Sequence, residues 1–229
     1  MGQITIRELE NMDFFKEIPK DILQNLLNES KVVSYKKKKV IFHSRSRTKT
    51  VYFVYSGEVM LYNLTKHGNR KVIFILGKGR LLNQSIVSKK PNALFCEAVC
   101  PVKVIEIAEE QFLQLMEQSH ALTRAVLREY ERNLWRMGHQ LKNTTGNMQM
   151  ERKIAAKLWK LGRDFGVDTE DGVMIDIDLT ITLMADLVGA PRENVSRACK
   201  VLTDRGLIRY GNKRFILIDF DGLAEFYKM

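Results

Sequence analysis

Residues 179–205 read LTITLMADLVGAPRENVSRACKVLTDR, and this segment indicates how the C-terminal part of the chain folds. Thr180 is a favourable helix N-cap, and the apolar residues after it are spaced as on one face of a short helix that ends at Gly189. Pro191, a residue favoured at helix starts, opens a second helix. The stretch therefore predicts two short helices joined by a tight turn, a helix-turn-helix.

The second predicted helix separates apolar from polar residues when it is drawn on a wheel at about 100° per residue. Arginine can donate two hydrogen bonds to guanine O6 and N7, and glutamate can accept one from cytosine N4. A helix N-terminus itself favours phosphate. The predicted buried side holds Val195, Ala198, Cys199 and Leu202, and the predicted DNA-reading side holds Arg192, Glu193, Ser196, Arg197 and Lys200.

A β-hairpin is predicted directly after this helix, because Leu207–Arg209 and Phe215–Ile218 flank a turn at Tyr210–Lys213. Residues 180–215 contain seven Arg or Lys residues against three acidic ones. A hairpin with cationic residues near its tip is typical of a wing that contacts DNA phosphates. The alternative is an ordinary helical hairpin with a charged surface. We predict phosphate contacts for Thr180 and Lys213, and a DNA contact for Thr182.

A long helix is predicted upstream of this region, where the apolar period changes to a helical one from about Glu109. A seam with alternating spacings of three and four residues runs along its second half, as in a coiled coil. The alternative is a helix that packs on its own domain, with Trp135 widening the apolar face. Asn143–Asn147 reads as a hinge. The predicted dimerisation seam consists of Leu127, Tyr130, Leu134, Met137 and Leu141.

The N-terminal half reads as β structure preceded by a helix. Residues 12–30 have helical apolar spacing, and residues 40–107 contain many short runs of β-branched and aromatic residues separated by turn signals. Close spacing of short strands predicts a small antiparallel barrel. The basic run Lys36–Lys39 reads as a solvated turn or strand surface.

Composition agrees with a folded protein that binds a polyanion. The chain of 229 residues carries 37 Lys or Arg against 27 Asp or Glu, a net charge of +10, and 45% of its residues are hydrophobic. No apolar run reaches the roughly 18–20 residues that span a bilayer, and the charged N-terminus does not read as a signal peptide. We therefore expect a cytoplasmic protein with no membrane partner. We expect the sparse cysteines, Cys96, Cys100 and Cys199, to be buried, with redox sensing as the alternative.

Three segments resemble the cAMP receptor protein / fumarate-nitrate regulator (CRP/FNR) family of transcription regulators. Phe14–Pro19 is similar to the family's opening helix, Val51–Val59 to its barrel signature, and Arg192–Arg197 to its recognition helix. The resemblance implies a protein that dimerises through the long helix, binds a palindromic site on double-stranded DNA and contacts RNA polymerase. An effector in the barrel would reposition the DNA-binding domains.

The fold class that we predict is α+β. It combines an N-terminal antiparallel β-barrel of the cyclic-nucleotide-binding jelly-roll type, a long dimerisation helix and a C-terminal winged helix-turn-helix. The corresponding domain limits are 1–118 for the effector-sensing barrel, 119–145 for the dimerisation helix and 146–229 for the DNA-binding domain.

The predicted effector pocket departs from the cAMP-binding pattern of the family. Leu81–Ser85 stands where a Gly-Glu pair holds the ribose, and Lys89–Leu94 offers no arginine for the cyclic phosphate. We therefore expect a small-molecule effector other than cAMP, which the sequence does not identify, with a cyclic-nucleotide-responsive regulator as the alternative. The candidate pocket residues are Leu82, Asn83, Gln84, Ser85, Ala93, Leu94 and Tyr130.

No metal, cofactor or catalytic residue is predicted. A cupin-type barrel enzyme would need a His/Glu cluster, but the four histidines show no HxH or HxxxH spacing. A haem bound by one of them is a further alternative; they are His43, His67, His120 and His139.

By resemblance, Arg-Glu-x-x-x-Arg is the reader of TGTGA and Glu-x-x-Ser-Arg the reader of TTGAT. The chain satisfies both patterns, so we predict only their shared TGA core.

Overall fold

The structure is a computed structural model that describes residues 4–144 and 148–228. The chain divides into two compact units, one formed by Met1–Asn63 with Ile73–Gly138 and the other by Leu64–Val72 with His139–Met229. Most of the predicted hinge at Asn143–Asn147 lies outside the described residues.

Two short helices open the chain, α1 (Ile6–Glu10) and α2 (Lys20–Asn28). The prediction of one helix over residues 12–30 is wrong in its first half, where the chain forms turns. Pro19 explains the late start, because it disfavours helical backbone at the residue before it and is well tolerated at a helix entry. The apolar residues before it are nevertheless buried, since Phe14 and Phe15 pack against Phe53.

The β domain consists of two antiparallel sheets that do not close into a barrel, so the prediction is corrected to an open, jelly-roll-like arrangement. One sheet has the strand order β1-β7-β3 and the other β2-β6-β4-β5. The strands are β1 (Ser30–Tyr35), β2 (Val40–Phe42), β3 (Thr50–Ser56), β4 (Val59–Leu64), β5 (Arg70–Leu76), β6 (Phe95–Ala98) and β7 (Val102–Ala108).

Strand β3 separates two hydrophobic cores, because successive side chains of a strand point to opposite faces. Val51 and Phe53 pack with the helices of this unit, whereas Tyr52 and Val54 pack in a cluster that includes strands of both sheets. Gly57 ends β3 with φ +82°, and a Cβ there would lie 2.7 Å from the carbonyl oxygen of Pro101. Backbone conformation and lack of space for a Cβ therefore favour glycine at the centre of the Ser-Gly-Glu segment of the barrel signature.

Two helices follow the sheets, α3 (Glu109–Gln118) and the long α4 (His120–Thr144). Ser119 breaks the helical run with extended backbone, φ −134° and ψ 104°. Its hydroxyl accepts a hydrogen bond from the backbone N–H of Leu122 at 3.3 Å, which helps α4 to begin.

The second unit contains four helices and a four-stranded sheet among the described residues. The sheet has the order β10-β11-β9-β8, and residues 207–218 form the predicted hairpin. The last helix was not predicted from the sequence. The elements are α5 (Met150–Phe165), β8 (Gly166–Thr169), β9 (Gly172–Ile175), α6 (Ile181–Val188), α7 (Arg192–Asp204), β10 (Ile208–Gly211), β11 (Arg214–Leu217) and α8 (Phe220–Lys228).

A hydrogen bond from Tyr55 connects α1 to the β domain. The stability of this contact is expected to depend on pH. Tyr55 Oη donates to Glu8 Oε1 at 2.6 Å, and this bond, with bonds from Thr5, lowers the pKa of Glu8 to about 2. Because the folded-state pKa is depressed, the contact stabilises the fold above the usual glutamate pKa of about 4.3 and is lost as the pH falls towards 2.

We expect Tyr55→Phe to raise the pKa of Glu8 towards its usual value and to speed hydrogen exchange in α1 at pH 3 to 4. NMR titration of the Glu8 carboxyl measures the first effect. Glu8→Gln, which cannot titrate, is the matched control. A wild-type Glu8 that titrates near 4.3 would contradict this contact.

Candidate nucleic-acid interface

The first helix of the helix-turn-helix is capped at both ends as the sequence predicts. Thr180 Oγ1 accepts a hydrogen bond from the backbone N–H of Leu183 at 3.1 Å, and Gly189 ends α6 in the left-handed conformation with φ 72°. The N–H of Gly189 donates to the carbonyl of Ala185 at 2.8 Å. These two caps fix where the chain turns towards α7.

Helix α7, the predicted recognition helix, follows the predicted wheel. It begins directly after Pro191, and its apolar side is buried, with Val195, Ala198, Cys199 and Leu202 all at most 5% exposed. The opposite side is exposed and carries the predicted readers Arg192, Glu193, Ser196, Arg197 and Lys200.

The side chains of this exposed face differ in how far they are already engaged. Arg197 Nη2 donates to Asn194 Oδ1 at 2.7 Å. Within residues 4–144 and 148–228, the side chains of Arg192, Glu193, Ser196 and Lys200 have no hydrogen bond or ion pair. Most of the predicted readers are therefore available to a ligand without breaking a contact.

The wing is a tight hairpin whose turn residues, Asn212 and Lys213, both have positive φ angles of 50° and 61°. This is the conformation of a two-residue type I′ turn. The N–H of Leu179 donates to the carbonyl of Lys213 at 2.8 Å, which fastens the wing tip next to Thr180. Thr182 is exposed. The three predicted DNA contacts Thr180, Thr182 and Lys213 thus come from adjoining segments.

Two cations of the wing region are engaged by acids that the sequence analysis did not include. Arg209 pairs with Asp171, and Arg214 pairs with Asp176. Both acids lie before residue 180, and β-sheet pairing brings them to the wing. Because these acids pair with Arg209 and Arg214, the wing presents less positive charge than the sequence count indicates. Among the described residues, Lys213 has no such acidic partner.

Helix α4 exposes four of the five predicted seam residues. Leu127, Leu134, Met137 and Leu141 are 45–72% exposed. Tyr130 differs, since it packs against the unit's own core and its hydroxyl is buried without a hydrogen-bond partner among the described residues. Burial raises the pKa of Tyr130 to about 12.

The opposite side of α4 is held by a buried ion pair that sequence analysis missed. Arg80 Nη1 lies 3.1 Å from Glu129 Oε2, and the side chain of Glu129 is 5% exposed. The two residues are 49 positions apart in the chain, so no local pattern reveals the contact. The alternative of a helix packed on its own domain therefore describes this side of α4.

Asn83 and Leu82, two predicted pocket residues, are used by the fold itself. Leu82 belongs to the apolar cluster of the two sheets. Asn83 accepts a hydrogen bond from the N–H of Tyr52 at 2.8 Å and donates one to the carbonyl of Thr50 at 2.9 Å. The side chain of Asn83 thus forms, with the backbone of β3, hydrogen bonds of the kind that a neighbouring strand would form.

The remaining predicted pocket residues differ in their contacts and exposure. Gln84 Nε2 donates to the carbonyl of Leu82 at 2.8 Å, while its buried Oε1 has no partner among the described residues. Ser85 bonds Ser88 at 2.7 Å, Ala93 is exposed, and Leu94 packs against the apolar cluster. A buried carboxylate, Glu97, was not predicted, and it accepts a hydrogen bond from the Tyr62 hydroxyl at 3.2 Å.

The three cysteines are free thiols. Cys96 and Cys199 are buried, and this burial raises the pKa of both, to about 11 for Cys199. A raised pKa disfavours the reactive thiolate. Cys100 is partly exposed, so the expectation of burial is wrong for this cysteine, and its thiol lies 2.9 Å from Glu58 Oε2. In the described part of the chain, no group of three or more His, Cys, Asp or Glu side chains could hold a metal ion.

A winged helix-turn-helix combined with an open jelly-roll domain defines a class of DNA-binding regulators. In agreement, the family described as "Cyclic nucleotide-binding domain" matches residues 32–119, and the family described as "Crp-like helix-turn-helix domain" matches residues 152–226. The chain belongs to the CRP/FNR family of transcription regulators and is itself a DNA-binding regulator of that type. Regulators of this family bind DNA and act as dimers.

Known relatives match over most of the chain. It is 25% identical over 186 residues to the global nitrogen regulator of Nostoc sp., with 80% of this chain and 83% of the relative covered. It is 22% identical over 218 residues to the CRP-like cAMP-activated global transcriptional regulator of Mycobacterium tuberculosis, with 95% and 97% covered.

Solved structures show the same fold. FixK2 from Bradyrhizobium japonicum matches with a TM-score of 0.74 at 20% identity, covering 86% of this chain and 96% of that one. A CooA mutant from Carboxydothermus hydrogenoformans matches with a TM-score of 0.77 at 18% identity, covering 99% and 97%. Across the described ranges, no helix has both the length and the apolar character needed to cross a bilayer.

Proposed function

We propose that this regulator binds as a homodimer to a palindromic DNA site, with α7 of each protomer reading one half-site in the major groove. The observation that carries the proposal is the exposed face of α7, whose polar side chains lie opposite a fully buried apolar side. A two-fold dimer presents two recognition helices about one turn of DNA apart, so the site has the same symmetry.

Each reader has a role that follows from its hydrogen-bonding groups. Arg197 contacts a guanine and Glu193 accepts a hydrogen bond from N4 of the cytosine paired near it, in a half-site that contains the TGA core. Arg192 takes a second guanine or a phosphate, Ser196 touches a thymine edge, and Lys200 adds positive charge. This assignment extends the resemblance of the helix to the family's recognition helix.

Phosphate contacts from the adjoining segments orient the helix in the groove. Thr180 can serve although its oxygen already caps α6, because a hydroxyl both accepts and donates. Thr182 and Lys213 add an exposed hydroxyl and an exposed cation.

The homodimer forms through the exposed side of α4, along Leu127, Leu134, Met137 and Leu141. Isolated exposed leucines are common, but four large apolar residues in one row on one helix are typical of an interface. RNA polymerase is a further partner that we infer from membership of the family.

The N-terminal domain, residues 1–118, senses a small-molecule effector that is not a cyclic nucleotide. The dimerisation helix spans 119–145, and residues 146–229 form the DNA-binding domain. The protein acts in the cytoplasm, where its bacterial relatives meet DNA, and it is a regulator without enzymatic activity.

The cyclic-nucleotide alternative has two observations in its favour, because residues 32–119 match the cyclic nucleotide-binding domain and the Mycobacterium tuberculosis relative is described as cAMP-activated. Against it, Asn83 is committed to β3, Leu82 is in the core, and no arginine lies within Lys89–Leu94. A cyclic phosphate therefore lacks the bidentate partner that such sites provide.

We expect isothermal titration with cAMP or cGMP at millimolar concentration to release no binding heat, and DNA affinity to stay the same. A cAMP-activated relative, titrated in parallel, is the positive control. A micromolar dissociation constant for either nucleotide would overturn this part of the proposal and favour the altered-pocket alternative.

Selection from a randomised DNA library tests the DNA-binding proposal. We expect the purified protein to enrich an inverted repeat with a TGA core in each half. Enrichment of an asymmetric sequence, or of none, would contradict it.

A further inference from the structure

The hydrogen bond from Arg197 to Asn194 is a feature of α7 that the assignment of readers does not explain. Arg197 Nη2 lies 2.7 Å from Asn194 Oδ1, and both side chains are exposed. Residues three apart are neighbours on a helix surface, so the bond spans one turn of the proposed reading face. Asn194 was not among the predicted DNA contacts.

A second partner for Arg197 lies within reach along the helix. Glu193 precedes Arg197 by four residues, and a glutamate four residues before a basic residue is the favourable orientation for an intrahelical ion pair. The two side chains nevertheless form no ion pair in the structure. Arg197 is held by a neutral amide instead, and the carboxylate of Glu193 stays available.

This difference matters for base reading. An ion pair between Arg197 and Glu193 would engage the donors and the acceptors that guanine and cytosine need, and it would have to be broken on binding. The guanidinium carries five N–H donors, of which a bidentate guanine takes two. The bond to Asn194 uses one more, so it can persist in the complex.

We propose that Asn194 is a positioning residue that keeps Arg197 oriented for guanine and separated from Glu193. The inference rests on the proposed role of Arg197 in base reading. An arginine side chain has many rotamers, and immobilising such a side chain at an interface costs binding free energy. A hydrogen bond that restricts it beforehand reduces that cost.

The experiment compares Asn194→Ala with Arg197→Ala on full-length protein. Fluorescence anisotropy measures affinity for the selected palindrome and for duplexes changed at the base pair to which Arg197→Ala has become indifferent. We expect Asn194→Ala to reduce the discrimination at that pair by about two- to tenfold. In the Arg197→Ala background the same change should have no further effect at that pair.

Two matched variants separate positioning from other roles. Asn194→Asp replaces the neutral amide with a carboxylate that can form an ion pair with Arg197, so we expect it also to lower the discrimination, while its added negative charge weakens binding to every duplex by a similar factor. Val201→Ala truncates another exposed side chain of α7 and should leave the discrimination unchanged. Circular dichroism establishes that each variant is folded.

The outcomes also distinguish this inference from the proposed function. If Arg197→Ala loses discrimination and Asn194→Ala retains it in full, Asn194 is not a positioning residue, although Arg197 is a reader. If Asn194→Ala loses discrimination equally in the presence and absence of Arg197, Asn194 contacts the DNA itself and the inference is wrong. If Arg197→Ala leaves every preference unchanged, the proposed reading by Arg197 fails first.

Discussion

Replacing Leu134 with aspartate should convert the protein from a dimer to a monomer at micromolar concentration. Leu134 is 72% exposed in the single chain, so dimerisation would remove nearly all of its apolar surface from water. Burying a leucine contributes roughly 1.5–3 kcal/mol, and each dimer buries two copies. The aspartates would in addition place unpaired charges in an apolar seam, which costs several kcal/mol more.

Sedimentation velocity measures this effect directly. The monomer should retain the helical content of the wild type, because Leu134 takes no part in either core of its own unit. Glu131→Ala, at an exposed position of α4 outside the seam, is the matched control and should remain dimeric. A dimeric Leu134→Asp variant would show that the interface lies elsewhere.

Replacing Arg197 with alanine should cost about 1–3 kcal/mol of binding free energy on the best site, which is roughly a 5- to 150-fold loss of affinity. The loss should be specific to one base pair of each half-site, because a base contact carries sequence information whereas a phosphate contact does not. Titration of duplexes that differ at single positions measures it.

Lys213→Ala provides the contrast for that measurement. As a variant of a proposed phosphate contact, it should weaken binding about equally on all duplexes and reduce the salt dependence of binding. A base-pair-specific loss in Lys213→Ala, together with a uniform loss in Arg197→Ala, would exchange the two assigned roles.

The recognition helix could be predicted from the sequence because the signals that define it are local. Thr180, Gly189 and Pro191 mark the helix ends within a dozen residues, and the apolar period identifies the buried side. All of these signals act through the backbone and nearest neighbours, so no knowledge of distant contacts is needed.

The features that sequence analysis missed depend on contacts between distant parts of the chain. The ion pairs that engage Arg209 and Arg214 require the pairing of β8, β9, β10 and β11, which places the acidic partners beside the wing. The pair Arg80–Glu129 likewise joins a loop of the β domain to α4. Charge counts along the sequence cannot reveal which charges meet in the fold.

Tyr130 illustrates a limit of periodicity. Its spacing fits the seam. However, α4 packs one side on its own core and exposes another, and both sides carry apolar residues. Packing, and not spacing, therefore determines to which side a residue at the boundary belongs. In the structure Tyr130 lies with the core and Leu134 with the exposed side. Asn83 shows the same limit for a polar residue, because its two bonds to β3 give it a structural role.

Reading of DNA sequence by α7 through Arg197, in each protomer of a dimer, can be measured by selecting sites from one randomised library with the wild type and with Arg197→Ala. We predict an inverted repeat with a TGA core for the wild type, and the same repeat with one degenerate position in each half for the variant. The same sharp motif from both proteins would show that Arg197 does not read DNA sequence.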